Sequence, residues 1–266
     1  MSIQSTGLRT AGKTKLLLAA VVAAGAALAL SSTSAKADTI IYQDTFPGSS
    51  TATLVGTVPG PATNTNAWKL ATDVATGNTF NADGSVTNTS TTGANYGDYL
   101  TFTPTSGNVY TLSATLSPLN TSGNGAWVGI AFDNGIVGDG TKLAPSMLAH
   151  YEGSTATIQT FTTGGTAFKS SASQALDKTA EMVLDTTSTD WVVSFYYNGT
   201  LIGSNTYTTN PTGVDGVSIS ASGKSFSSSV GDFTLTEAST ATPEPAAIGL
   251  FGLGAVGLLL ARRKRA

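Results

Sequence analysis

The stretch from residue 191 to residue 203 restricts the possible folds of this chain most strongly. Every second residue at its start is large and apolar, namely Trp191, Val193, Phe195 and Tyr197. Side chains of a β-strand alternate between its two faces, so these four share one face. The pair Asn198-Gly199 follows, and this dipeptide favours the type I′ turn that joins antiparallel strands. The stretch therefore predicts a β-hairpin with one buried face.

Further strand patterns recur about every 8 to 15 residues from residue 39 to residue 237, with turn residues between them. Residues 109–116 alternate between apolar and hydroxyl side chains, whereas residues 126–132 are apolar on both faces and predict a central strand. A second hairpin is predicted at residues 81–86, around the turn Asp83-Gly84. The whole pattern predicts an all-β fold, an antiparallel β-sandwich.

Several short strings in this region carry a resemblance to a known fold family. They include Asp44-Thr45-Phe46 near the start, Trp127–Phe132 in the middle and Asp232-Phe233-Thr234-Leu235 near the end. With the hairpin, they resemble a concanavalin A-like, laminin-G-like jelly roll. The resemblance implies two curved antiparallel sheets whose first and last strands lie side by side. Lectins, glycosidases and adhesion modules share this fold, so it does not by itself give a function.

The first 37 residues have the pattern of a signal peptide. Arg9, Lys13 and Lys15 precede an apolar run at residues 16–30, and Ala35 and Ala37 supply the small residues of a signal peptidase site. We expect cleavage before residue 38. The alternative is an uncleaved N-terminal anchor, for which the apolar run is short.

The C-terminus has the pattern of a membrane-retention signal. Residues 246–261 contain no polar side chain, and as a helix they would span roughly 24 Å of a hydrocarbon layer about 30 Å thick. Arg262, Arg263, Lys264 and Arg265 follow directly, and the positive-inside rule places such a basic cluster in the cytoplasm. A transmembrane helix is therefore predicted, and a buried core helix is the alternative.

Pro243, Glu244 and Pro245 precede this apolar run and keep the backbone out of a helix. The triplet, the apolar run and the basic cluster together resemble the PEP-CTERM sorting signal of Gram-negative bacteria that produce exopolysaccharide. The same tail is also known as an ice-binding protein C-terminal domain, a label that says nothing about ice here. The resemblance implies processing by an exosortase after export. It implies an inner-membrane precursor and then a place on the cell surface or in the extracellular matrix.

These patterns predict five parts of the chain: a signal peptide at residues 1–37, a β-sandwich domain at 38–238, a linker with the Pro-Glu-Pro motif at 239–245, a transmembrane helix at 246–261 and a basic cytoplasmic tail at 262–266.

Charge and composition exclude several classes of function. Residues 38–245 contain five lysines and no arginine against all sixteen acidic residues of the chain, a difference of −11. Such a surface repels nucleic acid, which we therefore do not expect as a partner. The chain has no cysteine, so it has no disulfide framework and no thiol nucleophile. His150 is the single histidine, which excludes a cluster of histidine metal ligands.

Catalytic patterns are weak, and we expect a protein that is not an enzyme. A glycosidase on this fold needs two carboxylates facing each other about 5–10 Å apart, and the laminarinase string Glu-x-Asp-x-x-Glu does not occur. Glu181 and Asp185 share a strand face but would lie about 13 Å apart. His150 has no accompanying Gly-x-Ser-x-Gly motif, which favours a structural histidine.

One loop contains candidate ligands for calcium, the only cofactor that the sequence suggests. Asp133, Asn134 and Asp139 lie together in a glycine-rich loop, and oxygen ligands suit Ca²⁺. The same residue types also favour a tight turn without any metal.

Aromatic residues in or near loops are candidates for stacking against sugar rings: Trp68, Tyr96, Tyr99 and Tyr151. The alternative for each is a place in the core. Threonines are abundant but follow no fixed repeat, which disfavours ice binding. The expected function is that of an exported surface or matrix protein whose sandwich binds carbohydrate, such as exopolysaccharide. The alternatives are a structural component without a ligand and a glycan-active enzyme.

Overall fold

The computed structural model describes residues 38–61, 65–120, 125–133, 145–162, 167–207 and 214–239. It contains fourteen strands over these residues: β1 (Thr39–Asp44), β2 (Lys69–Leu70), β3 (Ser85–Asn88), β4 (Ala94–Thr101), β5 (Asn108–Asn120), β6 (Trp127–Asp133), β7 (Ser146–Tyr151), β8 (Ala156–Phe161), β9 (Ala167–Gln174), β10 (Lys178–Asp185), β11 (Trp191–Tyr197), β12 (Thr200–Tyr207), β13 (Gly216–Gly223) and β14 (Phe226–Ser239). All belong to one compact unit, residues 37–240. The domain boundaries given above remain predictions.

The strands form two antiparallel sheets of seven strands each. Sheet I has the order β1-β14-β5-β10-β11-β12, with β3 also paired to β14, and sheet II has the order β2-β4-β13-β6-β7-β8-β9. The predicted all-β sandwich is thereby confirmed. The described residues contain no helix, and so none that could cross a membrane.

The apolar faces of the two sheets meet in the core, as the alternating patterns predicted. From sheet I, β5 and β11 contribute every second residue: Tyr110, Leu112, Ala114, Leu116, Trp191, Val193, Phe195 and Tyr197. From sheet II, β6 contributes Val128, Ile130 and Phe132, and it lies between β13 and β7 as the predicted central strand. The hairpin at Asn198-Gly199 is also confirmed, because β11 pairs with β12 across this turn.

The first and last strands lie side by side, as the resemblance implied. Asp44 of β1 is opposite Phe233 of β14 in the ladder. The Asp44 carboxylate accepts hydrogen bonds from the Trp68 indole N–H at 2.9 Å and from the backbone N–H of Phe46 at 2.7 Å. The Trp68 ring packs edge-on against Phe233, with ring centroids 5.1 Å apart. A polar anchor and an aromatic contact thus join the two ends of the domain.

The turn at Asp83-Gly84 is confirmed, but the strand that follows it pairs mainly with a distant segment. Gly84 has φ +76° and its N–H donates to the carbonyl of Asn81 at 2.9 Å. Across the turn the Asn81 N–H donates to the Ser85 carbonyl at 2.8 Å, which closes a hairpin of one residue pair. The strand that follows, β3, then pairs with β14. The residues before the turn bind the loop at residues 48–54, where the Leu54 N–H donates to the Phe80 carbonyl at 2.9 Å. Beyond this one residue pair, distant segments supply the pairing.

A second buried carboxylate, besides that of Asp44, lies on the core side of sheet II. Asp98 of β4 is opposite Ile219 of β13, a core residue, and is fully buried. Its carboxylate accepts hydrogen bonds from the Thr79 hydroxyl and the Phe80 N–H, each at 2.8 Å. Burial raises the pKa of Asp98 to about 7, although both hydrogen bonds act in the opposite direction. The folded protein therefore favours the neutral form of Asp98 more strongly than the unfolded chain does.

Because its folded-state pKa is raised, Asp98 stabilises the fold most at acidic pH, and this contribution falls as the pH rises from about 4 to about 7. Asp98→Asn cannot ionise and keeps an acceptor for the Phe80 N–H. We expect the free energy of unfolding of this variant, relative to wild type, to rise between pH 5 and pH 8 by on the order of 2 kcal/mol. Urea denaturation at both pH values measures this difference. A difference that does not change with pH would contradict the prediction.

Candidate ligand-binding face

The outer face of sheet II is the side of that sheet that points away from sheet I. Its position follows from the alternation along β13: Val217, Ile219 and Ala221 belong to the core, so Ser218 and Ser220 point to the outer face. Both serines are nevertheless buried, at 0% and 1% exposure. Buried hydroxyl groups on the outside of a sandwich distinguish this face from the outer face of sheet I.

The centre of the face is built from small residues. In the ladder, Ser218 is opposite Ala131 and Ser220 is opposite Gly129 of β6. A Cβ atom at Gly129 would lie 2.3 Å from Cδ2 of Leu148, so the Leu148 side chain occupies the space above this glycine. The small residues thus form a floor from which larger side chains rise on either flank.

One flank of the face is aromatic and apolar. Trp127, Leu148 and Phe161, from β6, β7 and β8, form a buried cluster separate from the main core. His150 is opposite Trp127 in the ladder, and the two ring centroids are 6.3 Å apart. Burial lowers the pKa of His150, although a hydrogen bond with Gln159 acts in the opposite direction. The imidazole is therefore neutral near pH 7.

The other flank carries Tyr99 of β4, which is opposite Ser218 in the ladder. Its ring is partly exposed, and the ammonium group of Lys69 lies 5.8 Å from the ring centroid, within the range of a cation–π interaction. This flank thus presents an aromatic ring and one cation, and the described side chains of the face include no carboxylate.

Two polar atoms of the face are buried without a hydrogen-bond partner: the Ser218 hydroxyl and Nε2 of His150. Leaving such a group unpaired costs about 1–3 kcal/mol, so a ligand that bonds to it, once the side chains that cover it have moved aside, recovers this free energy. A neutral imidazole and a hydroxyl can each donate or accept a hydrogen bond. Together with the rings of Trp127 and Tyr99, they suit a ligand that has hydroxyl groups around an apolar ring face.

The structure places the four predicted aromatic residues differently. Tyr99 lies on the outer face of sheet II. Trp68 is 1% exposed and lies in the core, so it offers no surface to a ligand. Tyr96 packs from the core side against Phe226, with ring centroids 5.8 Å apart. Tyr151 is half-buried at the end of β7, on the side of the sheet that faces the core. For Trp68 and Tyr96 the core alternative holds.

Trp127 and Ser218 were not predicted as site residues. Trp127 begins a strand that is apolar on both faces, so no alternation shows which of its residues point outward. Ser218 alternates with apolar residues in Val217–Ala221 and has the pattern of an ordinary surface serine. Its burial depends on neighbouring strands from distant parts of the sequence.

The calcium prediction is not tested by the described residues. Asp133 ends β6, but its side chain, Asn134 and Asp139 all lie outside them. Elsewhere in the described part of the chain, no three His, Cys, Asp or Glu residues are grouped in a way that could hold a metal ion. Glu181 and Asp185 both lie on β10 of sheet I and are half-buried.

A shallow depression of about 360 Å³ lies beside β1, lined by Gln43, Thr45, Pro47 and Val58–Gly60 as well as Asp44. Asp44 is its one ionisable residue, and the carboxylate of Asp44 is already bound to Trp68 and Phe46. The depression therefore offers a ligand few groups compared with the outer face of sheet II.

Comparison with known proteins assigns the C-terminal segment. Residues 241–265 match the PEP-CTERM protein-sorting motif. The resemblance seen in the sequence is thereby confirmed, and the protein is an exported protein that an exosortase processes. The triplet Pro243–Pro245, the basic cluster and the signal peptidase site at Ala35 and Ala37 all lie outside the described residues. No curated protein matches the chain.

Solved structures similar to this chain include lectins and a glycanase. The carbohydrate recognition domain of Emp47p is 14% identical with a TM-score of 0.45, covering 74% of this chain and 95% of that domain. An endo-1,3-β-glucanase from Streptomyces sioyaensis is 14% identical with a TM-score of 0.47, covering 76% and 97%. A lectin from Bauhinia forficata is 13% identical with a TM-score of 0.32, covering 56% and 82%. The similarity is one of fold and indicates neither a ligand nor an activity for this chain.

The single histidine allows a direct test of the site's electrostatics. We expect the His150 ring resonances to titrate with a midpoint below about 6.5, the ordinary value for histidine, because burial disfavours the charged ring. Proton NMR of the folded protein between pH 4 and pH 8 measures the midpoint. A midpoint at or above the ordinary value would show that the ring is solvated or paired with an anion.

Proposed function

We propose that this protein is a non-enzymatic carbohydrate-binding protein of the cell surface or extracellular matrix, delivered there by exosortase sorting. The observation that carries the binding proposal is the pair of buried, unpartnered polar atoms, the Ser218 hydroxyl and Nε2 of His150, on a face that also carries Trp127 and Tyr99. A sugar has hydroxyl groups that can bond to the two polar atoms, and its ring has an apolar face that can stack against the two aromatic side chains.

The location proposed for the mature protein rests on the sorting motif. Export carries residues before Pro243 across the inner membrane, and processing near the Pro-Glu-Pro triplet would separate them from the apolar segment that follows. A released or surface-held sandwich would then meet the exopolysaccharide outside the cell. On this proposal, the ligand-binding face and its proposed ligand share one compartment.

The charge of the domain favours uncharged glycans over acidic ones. Residues 38–245 carry eleven more acidic than basic residues, so the domain repels a polyanion at long range. On the outer face of sheet II, the described side chains add one cation, Lys69, and a neutral imidazole, which is too little to offset that repulsion. A neutral polysaccharide meets no such barrier.

The proposal of a non-enzymatic role rests on the chemistry of the same face. Hydrolysis of a glycosidic bond needs an acid and a second carboxylate close to the scissile bond. The described side chains of the face are hydroxyl, amide, aromatic, apolar and imidazole groups, together with the Lys69 ammonium. These groups hold and orient a glycan without supplying that pair.

The variant Ser218→Ala distinguishes an effect on glycan binding from an effect on stability. The Ser218 hydroxyl has no partner in the folded protein, so its removal should leave the melting temperature unchanged or raise it. We expect the same change to weaken binding to neutral glucan or galactan oligosaccharides on a glycan array by about tenfold, since a hydrogen bond in a desolvated site is worth roughly 1–2 kcal/mol.

The matched control is Thr160→Val. Thr160 also has a buried, unpartnered hydroxyl, but on β8 opposite Met147 of the core. Its removal should spare glycan binding. Equal loss of binding in both variants, or a correctly folded wild type that binds no glycan on the array, would contradict the proposed function and favour a structural component without a ligand.

Export and processing predict a definite mature product. In a host with its exosortase, we expect a chain that begins at Asp38 and ends near Pro245, and in a host without the exosortase a chain that keeps the apolar tail. Intact-mass spectrometry of the fractionated protein measures both ends. A full-length tail in both hosts would contradict exosortase processing.

A further inference from the structure

The edge strands of the two sheets differ in how they are protected against pairing with another chain. An edge strand exposes unpaired backbone N–H and C=O groups, and proteins protect such edges with short strands, charges, bulges or covering segments. Five strands lie at edges here: β1, β3 and β12 in sheet I, and β2 and β9 in sheet II.

Four of these edges are protected. The strand β1 is covered near its C-terminal end, where the Gln43 N–H donates to the carbonyl of Gly60 at 2.5 Å. The strands β2 and β3 have only two and four residues. The strand β9 includes Lys169, and its pairing with β8 shifts register twice.

The fifth edge, β12, lacks these devices over most of its length. Its sequence Thr-Leu-Ile-Gly-Ser-Asn-Thr-Tyr contains no charge and no proline. A register shift at Ile202 affects the end near the turn, but Gly203–Tyr207 pairs regularly with β11. Backbone bonds to these residues come from β11 alone within the described part of the chain. The side chains of Leu201, Ser204 and Thr206 are exposed.

We propose that β12 is a docking edge for a second copy of this chain, which pairs through its own β12 in antiparallel orientation. The two-fold axis of such a pair is perpendicular to the sheet, so the pairing has the same residue of each copy at its centre. Centring the pair on Asn205 uses all five regular residues. Gly203 then lies opposite Tyr207 of the second copy, and Ser204 opposite Thr206.

This arrangement is self-complementary in three respects. No charged residue of β12 meets its own copy, which would repel. Tyr207 packs against its own core, and the glycine opposite it has no side chain that would displace the ring. The hydroxyls of Ser204 and Thr206 meet on the exposed side, where such pairs contribute favourably. The two copies would share one continuous sheet, formed from sheet I of each, and leave the outer face of each sheet II free.

The test uses the exported protein purified in mild detergent, examined by sedimentation velocity up to about 100 µM, since an interface this small binds weakly. We expect a dimer of the wild-type chain at high concentration. The double variant Ser204→Lys with Thr206→Lys places like charges directly opposite each other twice, and should raise the dissociation constant at least about tenfold.

Two further variants make the test specific. Ser204→Glu with Thr206→Glu should also be monomeric, and an equimolar mixture with the double-lysine variant should restore the dimer through two Lys–Glu pairs. The matched control is Thr111→Lys with Ser113→Lys, which adds the same charges to the outer face of sheet I on β5, three strands from the edge. It should dimerise as wild type does.

A wild-type chain that stays monomeric at the highest concentration would overturn the proposal. So would a dimer that the double-lysine variant leaves intact, because another surface would then hold the copies together. Equal loss of the dimer in the β5 control would show that added charge alone separates the copies, and failure of the mixture to restore it would exclude β12-to-β12 pairing.

Discussion

The pairing of β14 is the constraint on which the rest of the domain depends. This strand near the end of the domain pairs with β5 along one side, and with β1 and β3 along the other. It therefore cannot find its place until segments about 100 and about 200 residues earlier in the chain are in position, and such non-local pairing is slow to form. The Asp44–Trp68 hydrogen bond and the contact between Trp68 and Phe233 stabilise the same junction from within the core.

The two outer faces of the sandwich carry different kinds of side chains. On sheet I the outward residues of β10 include Glu181 and Asp185, which a solvated surface accommodates readily. On sheet II the outward serines of β13 are buried, and an aromatic cluster lies beside them. Burying unpartnered hydroxyl and imidazole groups opposes folding. Their presence on one outer face alone is the reason for proposing that this face binds a ligand.

The local sequence pattern predicted the features that depend on a single strand. It did not predict those that depend on the pairing of several strands. The alternation in Trp191–Tyr197 gave the hairpin and its buried face, and the uniform apolarity of Trp127–Phe132 gave a central strand. The turn at Asp83-Gly84 was predicted correctly, but its strand pairs with β14, which no local pattern shows. For the same reason Trp68 was a candidate ligand platform until its partner Asp44, 24 residues earlier, placed it in the core. The proposed ligand face depends on the register of β4, β13, β6 and β7, so the sequence pointed to Tyr99 but not to Trp127 or Ser218.

The claim that the outer face of sheet II binds a neutral glycan is tested most directly by hydrogen–deuterium exchange with and without the oligosaccharide that binds most tightly. The account predicts slower exchange in β6, β7 and β13, the strands that carry Trp127, His150 and Ser218, and unchanged exchange in β10 and β11 of the opposite sheet. Protection confined to sheet I, or to the depression beside β1, would place the ligand elsewhere and contradict the account.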